Sequence, residues 1–438
     1  MINVDKIKAK LDKHTIEVFV NTFKAMTIRT FGLIVGLLVS VFLARTLGAE
    51  GLGVVNFANK VGVIFLVLTM FGFENVIIKY IAIAKSKFDK ISIANTIKTS
   101  LFFNLSISIF FATVGAIFLK SIFKFWFLES QELYIPILII LIVLIPQTLS
   151  AIYGAALNGY GKIWQSNFLN QNLTILFVGF GLILYFFLEV KFTPITVLIL
   201  YGVSRILVAL IITVFWKNTF RNKTKGQFNF KPMFSLAKPM LLVGGASVIA
   251  SNVDIIMLGV LGTFEDVGVY SVCLRLAMLT SLFLQVSNAA LAPKLASLFH
   301  QSRIDEMQLM VSRVTKGLVL VAFFFLLFFF IFGEWFLGLW GAEFKDAYWI
   351  LIILVSGQVF NISTGCSGVL LNMGGFEKYH GFISLFGLFI NIILNVILIF
   401  EFGAFGAALA TTLTVIVENL SKVILAKLKT GILTIPYR

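Results

Sequence analysis

Twelve apolar runs, each long enough to cross a bilayer, take up most of the chain and leave only short connectors between them. A helix needs about 20 apolar residues to span the hydrocarbon. The runs fall near 25–45, 54–78, 97–120, 133–157, 164–188, 194–216, 239–261, 268–292, 314–333, 347–371, 379–401 and 405–426. In lipid, backbone polar groups must be satisfied within the protein, which favours helices. The fold class is therefore an all-α membrane protein of twelve helices. Composition agrees: 59% of the 438 residues are hydrophobic and 13% are charged, against about 25% charged in soluble domains. Pro136, Pro194 and Pro239 are placed in first helical turns, where a missing N–H costs little. Pro146 falls inside span four, where an interior proline is expected to kink the helix.

The net charge of +15 has its source in topology rather than in nucleic acid, because cytoplasmic segments of membrane proteins collect Lys and Arg. With both termini inside, the cytoplasmic segments hold 26 of the 35 cations, the outer loops five, and the spans Arg29, Lys60, Arg205 and Arg275. Shifting the topology by one span would scramble that asymmetry. Residues 1–17 carry Lys6, Lys8, Lys10 and Lys13 among sparse apolars, the wrong layout for a secretory signal. Ile7, Leu11 and Val18 are compatible with an interfacial helix on the cytoplasmic side, or the segment is a basic tail. Cys273 and Cys366 fall inside spans, so neither a disulfide nor a thiolate metal site is expected.

The chain repeats. Leu47-Gly48 matches Leu261-Gly262 at an offset of 214, and one residue further out of step Gly53 matches Gly268. Gly154, Leu157, Asn158 and Gly161 match Gly368, Leu371, Asn372 and Gly375, again at 214. This predicts an N-terminal six-helix lobe over 1–216, a basic cytoplasmic connector over 217–238, and a C-terminal six-helix lobe over 239–438. Six is an even number, so the lobes share an orientation and are related by an axis along the membrane normal, with a substrate site between them.

Charges inside a span are a functional hypothesis in themselves, because hydrocarbon penalises them by several kcal/mol. Lys60 in span two and Arg275 in span eight are equivalent at an offset of 215, and in this scheme face one another across a cleft. Arg29 adds a third cation, on a helix face with Gly32, Gly36 and Ser40. Those glycines serve either cavity lining or close helix packing. Arg205 in span six is the fourth candidate substrate-binding cation and falls, by the same offset, at the Glu418 region.

Among the acids, Asp254 shares a face with Ser247 and Ser251 in span seven. It reads as a coupling acid or as one half of a structural salt bridge. Glu418 has Lys422 one turn on and reads as an ordinary i,i+4 pair. Asn167, Asn170, Gln171, Asn172, Gln358, Asn361, Asn391 and Asn395 cluster within spans, where interhelical hydrogen bonding accounts for most of them. The spans are net positive, which selects an anion, and guanidinium groups suit phosphate oxygens through their forked geometry.

Nothing points to catalysis. His14, His300 and His380 are isolated, there is no Gly-rich nucleotide loop, and no cofactor or metal ion is called for. An ion gradient or the membrane potential remains as the energy source. A membrane glycosyltransferase or polysaccharide polymerase would need a long outer loop with paired acids. A drug exporter of organic cations would need an acidic cavity.

The run LARTLGAEGLGVVNFA (43–58), the basic N-terminus, the twelve spans and the later LNGYGK (157–162) resemble the polysaccharide flippases of the multidrug/oligosaccharidyl-lipid/polysaccharide exporter superfamily. The resemblance implies two six-helix lobes with alternating access, in a bacterial inner or plasma membrane. It also implies translocation of an undecaprenyl-pyrophosphate-linked oligosaccharide to the outer leaflet for O-antigen- or capsule-type polysaccharide. Related lipid II flippases hold the pyrophosphate with cations on spans one, two and eight, and Arg29, Lys60 and Arg275 are similar in placement. Membrane lipid and other polysaccharide-assembly proteins are the implied partners. Lys at position 60 departs from the forked arginine that the comparison would favour.

Overall fold

The computed structural model describes residues 13–125, 133–221 and 226–436. The basic segment before residue 13, with Ile7 and Leu11, and Lys223 and Lys225 of the connector lie outside that range. Among the described residues the secondary structure is helical throughout, without strands. Among the described residues, nine helices are long and apolar enough to cross a membrane, and the chain is a multi-pass membrane protein.

The helices are α1 Lys13–Met70, α2 Phe73–Ser86, α3 Lys90–Phe125, α4 Tyr134–Gly159, α5 Ile163–Asn167, α6 Leu173–Phe187, α7 Pro194–Thr219 and α8 Phe230–Met240. They continue with α9 Ala246–Ala250, α10 Val253–Leu261, α11 Phe264–Thr280, α12 Leu282–His300, α13 Ile304–Leu337, α14 Tyr348–Ser363, α15 Ser367–Met373 and α16 Glu377–Thr430. α1 and α16 are each two helices meeting at a glycine, Gly48 (φ 71°) and Gly403 (φ 52°). A positive φ there is open to glycine at no steric cost. Each of these helices therefore holds two of the apolar runs.

The helices gather into two compact units. One comprises Met1–Phe42 with Val61–Gly245, the other Leu43–Lys60 with Ala246–Arg438. The first unit is built on Phe73, Val76, Ile77 and Ile81 of α2, Ile152 and Leu157 of α4, Ile212 and Trp216 of α7, and Met233 and Ala237 of α8. α8 enters this core through aromatic contacts, Phe71 against Phe234 (5.3 Å) and Phe103 against Phe230 (5.1 Å). Gly72, in the left-handed conformation, lets the α8 backbone come close, since a Cβ there would collide with the Ala237 carbonyl. The second unit packs Leu295 of α12, Val311 of α13, Leu370 and Leu371 of α15 and Ala426 of α16 together. In both units, exposed large side chains such as Phe187, Leu320 and Phe400 form apolar surface suited to lipid.

Span seven differs from its sequence reading. Pro239 sits in the last turn of α8 rather than in a first turn. It is followed by a π-helical turn, Leu241–Gly245, the five-residue α9 and a break at Ser251-Asn252. A proline inside a helix removes a donor and crowds the carbonyl four residues back, and the two glycines that follow offer little helix propensity. Thr193 caps α7 with Pro194 at its first position, where a proline is well suited.

Candidate functional site

The site region of the second unit is built outward from Gly48. There the chain turns, and the Ala49 amide at the start of the second arm of α1 donates to Glu343 Oε1 (2.8 Å). Arg45 Nε donates to the Leu339 carbonyl (2.8 Å). One turn on, Gly53 lies against α11. A Cβ at Gly53 would strike the Phe264 carbonyl and come within 3.0 Å of Gly268 N, while one at Gly268 would strike the Ala49 carbonyl. The two glycines that the repeat makes equivalent thus each face the backbone of the other's helix. Phe57 closes the neighbouring turn, edge-on to Phe264 with ring centroids 5.6 Å apart.

Seven residues beyond these glycines, two helical turns on each helix, come Lys60 and Arg275. Both belong to the second unit, where the Arg275 charge acts on Lys60. Both side chains are partly buried. Like charges in partly desolvated places of one unit repel one another, and an anion between them would relieve that repulsion.

Arg29 is exposed and belongs to the first unit. Its helix face is not uniformly open. Gly32 is filled by the Asn172 side chain, whose Nδ2 donates to the Ile28 carbonyl, and Ser40 is buried. Gly36 alone of that face has nothing within 4 Å of a Cβ position. Asn172 accordingly serves helix packing, while the Gln171 side chain lies outside the described residues. Arg205, on α7, lines a cavity of the first unit, about 240 Å³, with Gln147, Ser150, Asn170 and Thr174.

Asp254 stands beyond the break in span seven, so the expected continuous face with Ser247 and Ser251 is not formed. Its carboxylate is buried and takes Asn395 Nδ2 on Oδ1 (2.7 Å), with Thr411 Oγ1 (3.0 Å) and the Tyr270 hydroxyl (3.2 Å) on Oδ2. All are neutral donors, and no salt bridge to Asp254 occurs among the described residues. Asn395 Oδ1 beside it is buried without a partner. A buried acid held by neutral donors within a span is a functional candidate. Glu418 accepts from Lys422 Nζ (2.7 Å) and from Ser384 Oγ (2.9 Å), the i,i+4 pair read from the sequence.

Sequence reasoning missed Glu343 and Asp266. Both accept from helix N-termini, Glu343 at Ala49 and Asp266 at Ala404 (3.1 Å). Asp266 also completes a capping box with Thr263, and Thr263 followed three residues later by an acid was the available signal.

Residues 18–299 match the family described as polysaccharide biosynthesis protein. The chain is 28% identical over 224 residues to the probable low-salt glycan biosynthesis flippase Agl15 of Haloferax volcanii; that alignment spans 49% of this chain and 46% of the relative, about half of its length. Among solved structures, a multidrug resistance MATE family transporter of the MOP superfamily, inward-facing, is similar at a TM-score of 0.76, with 14% identity over 91% of this chain and 94% of the other. The lipid II flippase MurJ, in an inward closed conformation, is similar at 0.70, with 16% identity over 92% of this chain and 87% of the other. These likenesses carry the fold, and the family match carries the membership: the chain belongs to the polysaccharide biosynthesis protein family.

Proposed function

We propose that the protein is a flippase that moves an undecaprenyl-pyrophosphate-linked oligosaccharide from the cytoplasmic to the outer leaflet of a bacterial inner or plasma membrane, serving O-antigen- or capsule-type polysaccharide. The observation that carries this reading is that Lys60 and Arg275, like charges at equivalent places in the internal repeat, lie partly buried in one unit, with the chemistry of a pyrophosphate clamp. Arg29 is the third cation assigned to the headgroup. The sugars stay in polar surroundings while the prenyl tail remains in lipid. Twelve spans with both termini in the cytoplasm, arranged as two six-helix lobes, are part of the same proposal. Asp254 is the coupling acid, carrying a proton or monovalent cation, and alternating access is driven by an ion gradient or the membrane potential. The chain acts as a transporter and not as an enzyme.

The test is reconstitution in vesicles with a labelled prenyl-pyrophosphate oligosaccharide, scored for leaflet exchange beside a dye-efflux control. Wild-type protein exchanges the lipid, and the Lys60→Gln/Arg275→Gln double variant inserts normally but does not. Wild-type exchange by the double variant would sink the proposal. Dye efflux in place of lipid exchange would indicate a drug exporter, and sugar polymerisation a membrane polymerase.

A further inference from the structure

The cavity around Arg205 lies wholly inside the first unit, apart from the Lys60–Arg275 pair of the second. Its polar lining comes from three helical segments and a π-turn. Gln147 and Ser150 stand midway along α4, Arg205 midway along α7 and Thr174 at the start of α6. Asn170 belongs to the π-helical turn Phe168–Asn172 between α5 and α6. Leu66 and Val208 supply the aliphatic part of the wall. π-turns inside α-helical spans frequently mark functional positions, because the extra residue re-aims side chains and frees backbone groups.

The lining discriminates between ligands. There is no acid in it, which removes organic cations. It has no aromatic face on which a sugar ring could stack, and its volume is below the roughly 300–1,000 Å³ of sites for drug-sized ligands, so an oligosaccharide is excluded. A guanidinium with two carboxamides and two hydroxyls matches a small oxyanion. Gln147 adds a second requirement, since its Oε1 is buried with no hydrogen-bond partner. An acceptor left in that state is costly to keep buried. A ligand that carries a hydroxyl beside its anionic oxygens satisfies both the acceptor and the guanidinium.

The internal repeat provides a control within the same chain. At the offset of 214, Gln147, Ser150, Asn170 and Arg205 correspond to Asn361, Thr364, Ser384 and Asn419 of the second unit. There the side chains bond to one another, whereas Ser150 of the first unit donates to the Pro146 carbonyl (3.0 Å). Thr364 Oγ1 donates to Asn419 Oδ1 (3.4 Å), Asn361 Nδ2 to Gln358 Oε1 (3.3 Å), and Ser384 Oγ to Glu418. Thr364 and Asn419 are buried against each other. Where the second unit closes its polar positions with a short carboxamide, the first unit puts a long guanidinium at the edge of a cavity.

We propose that this cavity is a binding site for a small hydroxyl-bearing oxyanion, a hydrogen phosphate or a hydroxy-carboxylate group, held by Arg205 and completed by Gln147, Asn170, Ser150 and Thr174. The site is independent of the headgroup proposal and can stand or fall without it. The same chemistry arrives either as a free ion or as an acidic group carried on a sugar.

The experiment measures thermal unfolding of the full chain in lipid nanodiscs, titrated with inorganic phosphate, with glucuronate, and with glucose as the neutral control. Phosphate or glucuronate stabilises the wild type and the Lys60→Gln/Arg275→Gln variant alike, and Arg205→Gln abolishes the shift. Arg205→Lys raises the half-saturating concentration about tenfold through loss of the fork. Should Arg205→Gln fail to fold, Asn170→Ala, which keeps the cation, weakens the shift by a similar factor. A response to phosphate alone identifies the free ion, and one to glucuronate the sugar-borne group. A shift that survives Arg205→Gln but disappears in Lys60→Gln/Arg275→Gln overturns the proposal, as does an equal response to glucose or no response to any of the three.

Discussion

Gly53 and Gly268, equivalent in the internal repeat, each face the backbone of the other's helix, with no room for a methyl group on either side. The atoms in the way are main-chain carbonyls of Phe264 and Ala49, which cannot rotate aside. Gly53→Ala or Gly268→Ala should therefore cost about 1–3 kcal/mol through overpacking, read as a lowered unfolding midpoint in detergent. Gly36→Ala is the contrasting case, because its Cβ position is open and alanine is a better helix former by about 0.5–1 kcal/mol. Equal losses at Gly53 and Gly36 would refute the account.

Lys60→Arg should preserve lipid exchange, since a guanidinium keeps the charge and adds the fork that suits pyrophosphate. Lys60→Gln should depress it. Vesicle assays on the two variants, normalised to inserted protein, check the pair. Equal losses in both would mean that the amine itself, and not the charge, is required.

Removing Asn395 takes the donor from Asp254 Oδ1. Asn395→Ala is expected to destabilise the protein by about 1–3 kcal/mol, because the carboxylate oxygen is left buried and unsatisfied. Asp254→Asn keeps the shape and removes the charge, so transport driven by an imposed ion gradient should be lost while folding persists. Gradient-driven exchange at wild-type rates in Asp254→Asn would remove this residue from the coupling role.

Asp89 precedes α3 and accepts from Ser92 Oγ (2.6 Å) and Ser92 N (2.9 Å). These hydrogen bonds, the side-chain one foremost, hold its carboxyl below the usual aspartate range. A depressed folded-state value means the cap's contribution is complete above the ordinary pKa of about 3.9 and is lost as pH falls through the lower, folded value. Hydrogen exchange at the first turn of α3 should accelerate across that acidic window in the wild type. Asp89→Asn should lack the pH dependence; a matching profile in the variant would rule Asp89 out as its source.

Glu343 gives the second arm of α1 an anionic acceptor at its N-terminus. Glu343→Ala should loosen that arm by about 0.5–2 kcal/mol, seen as faster exchange of the Ala49 amide. Exchange unchanged at Ala49 would show that water replaces the carboxylate without loss.

Membrane class and helical fold were readable because hydrocarbon imposes them on any sequence this apolar. Equivalence of Gly53 with Gly268 was readable as well, because close backbone approach tolerates only glycine and leaves a fixed spacing. The Glu418–Lys422 pair followed from helix geometry alone. Span seven did not: the proline and glycine signals at Pro239, Gly244 and Gly245 were local, but placing Pro239 in a first turn hid that it ends one helix, and nothing local marks the break at Asn252. Asp254's partners were invisible for a related reason. Tyr270 comes from the next helix, and Asn395 and Thr411 from the two arms of α16, brought to it by tertiary packing that no periodicity encodes. Arg205 could be found as a charge but not as part of a cavity, because its neighbours come from α4, α6 and a π-turn.

The segment Leu43–Lys60 has a further consequence, in the order of synthesis. It packs with a unit whose remaining residues start at Ala246, and Gly268 leaves the ribosome 215 residues after Gly53. At about 5–20 residues per second, the glycine surface of the second helix waits about 10–40 s in the nascent chain before its partner exists. Biogenesis of this protein thus contains a built-in delay, during which the first helical pair must be held in the membrane without its final neighbour.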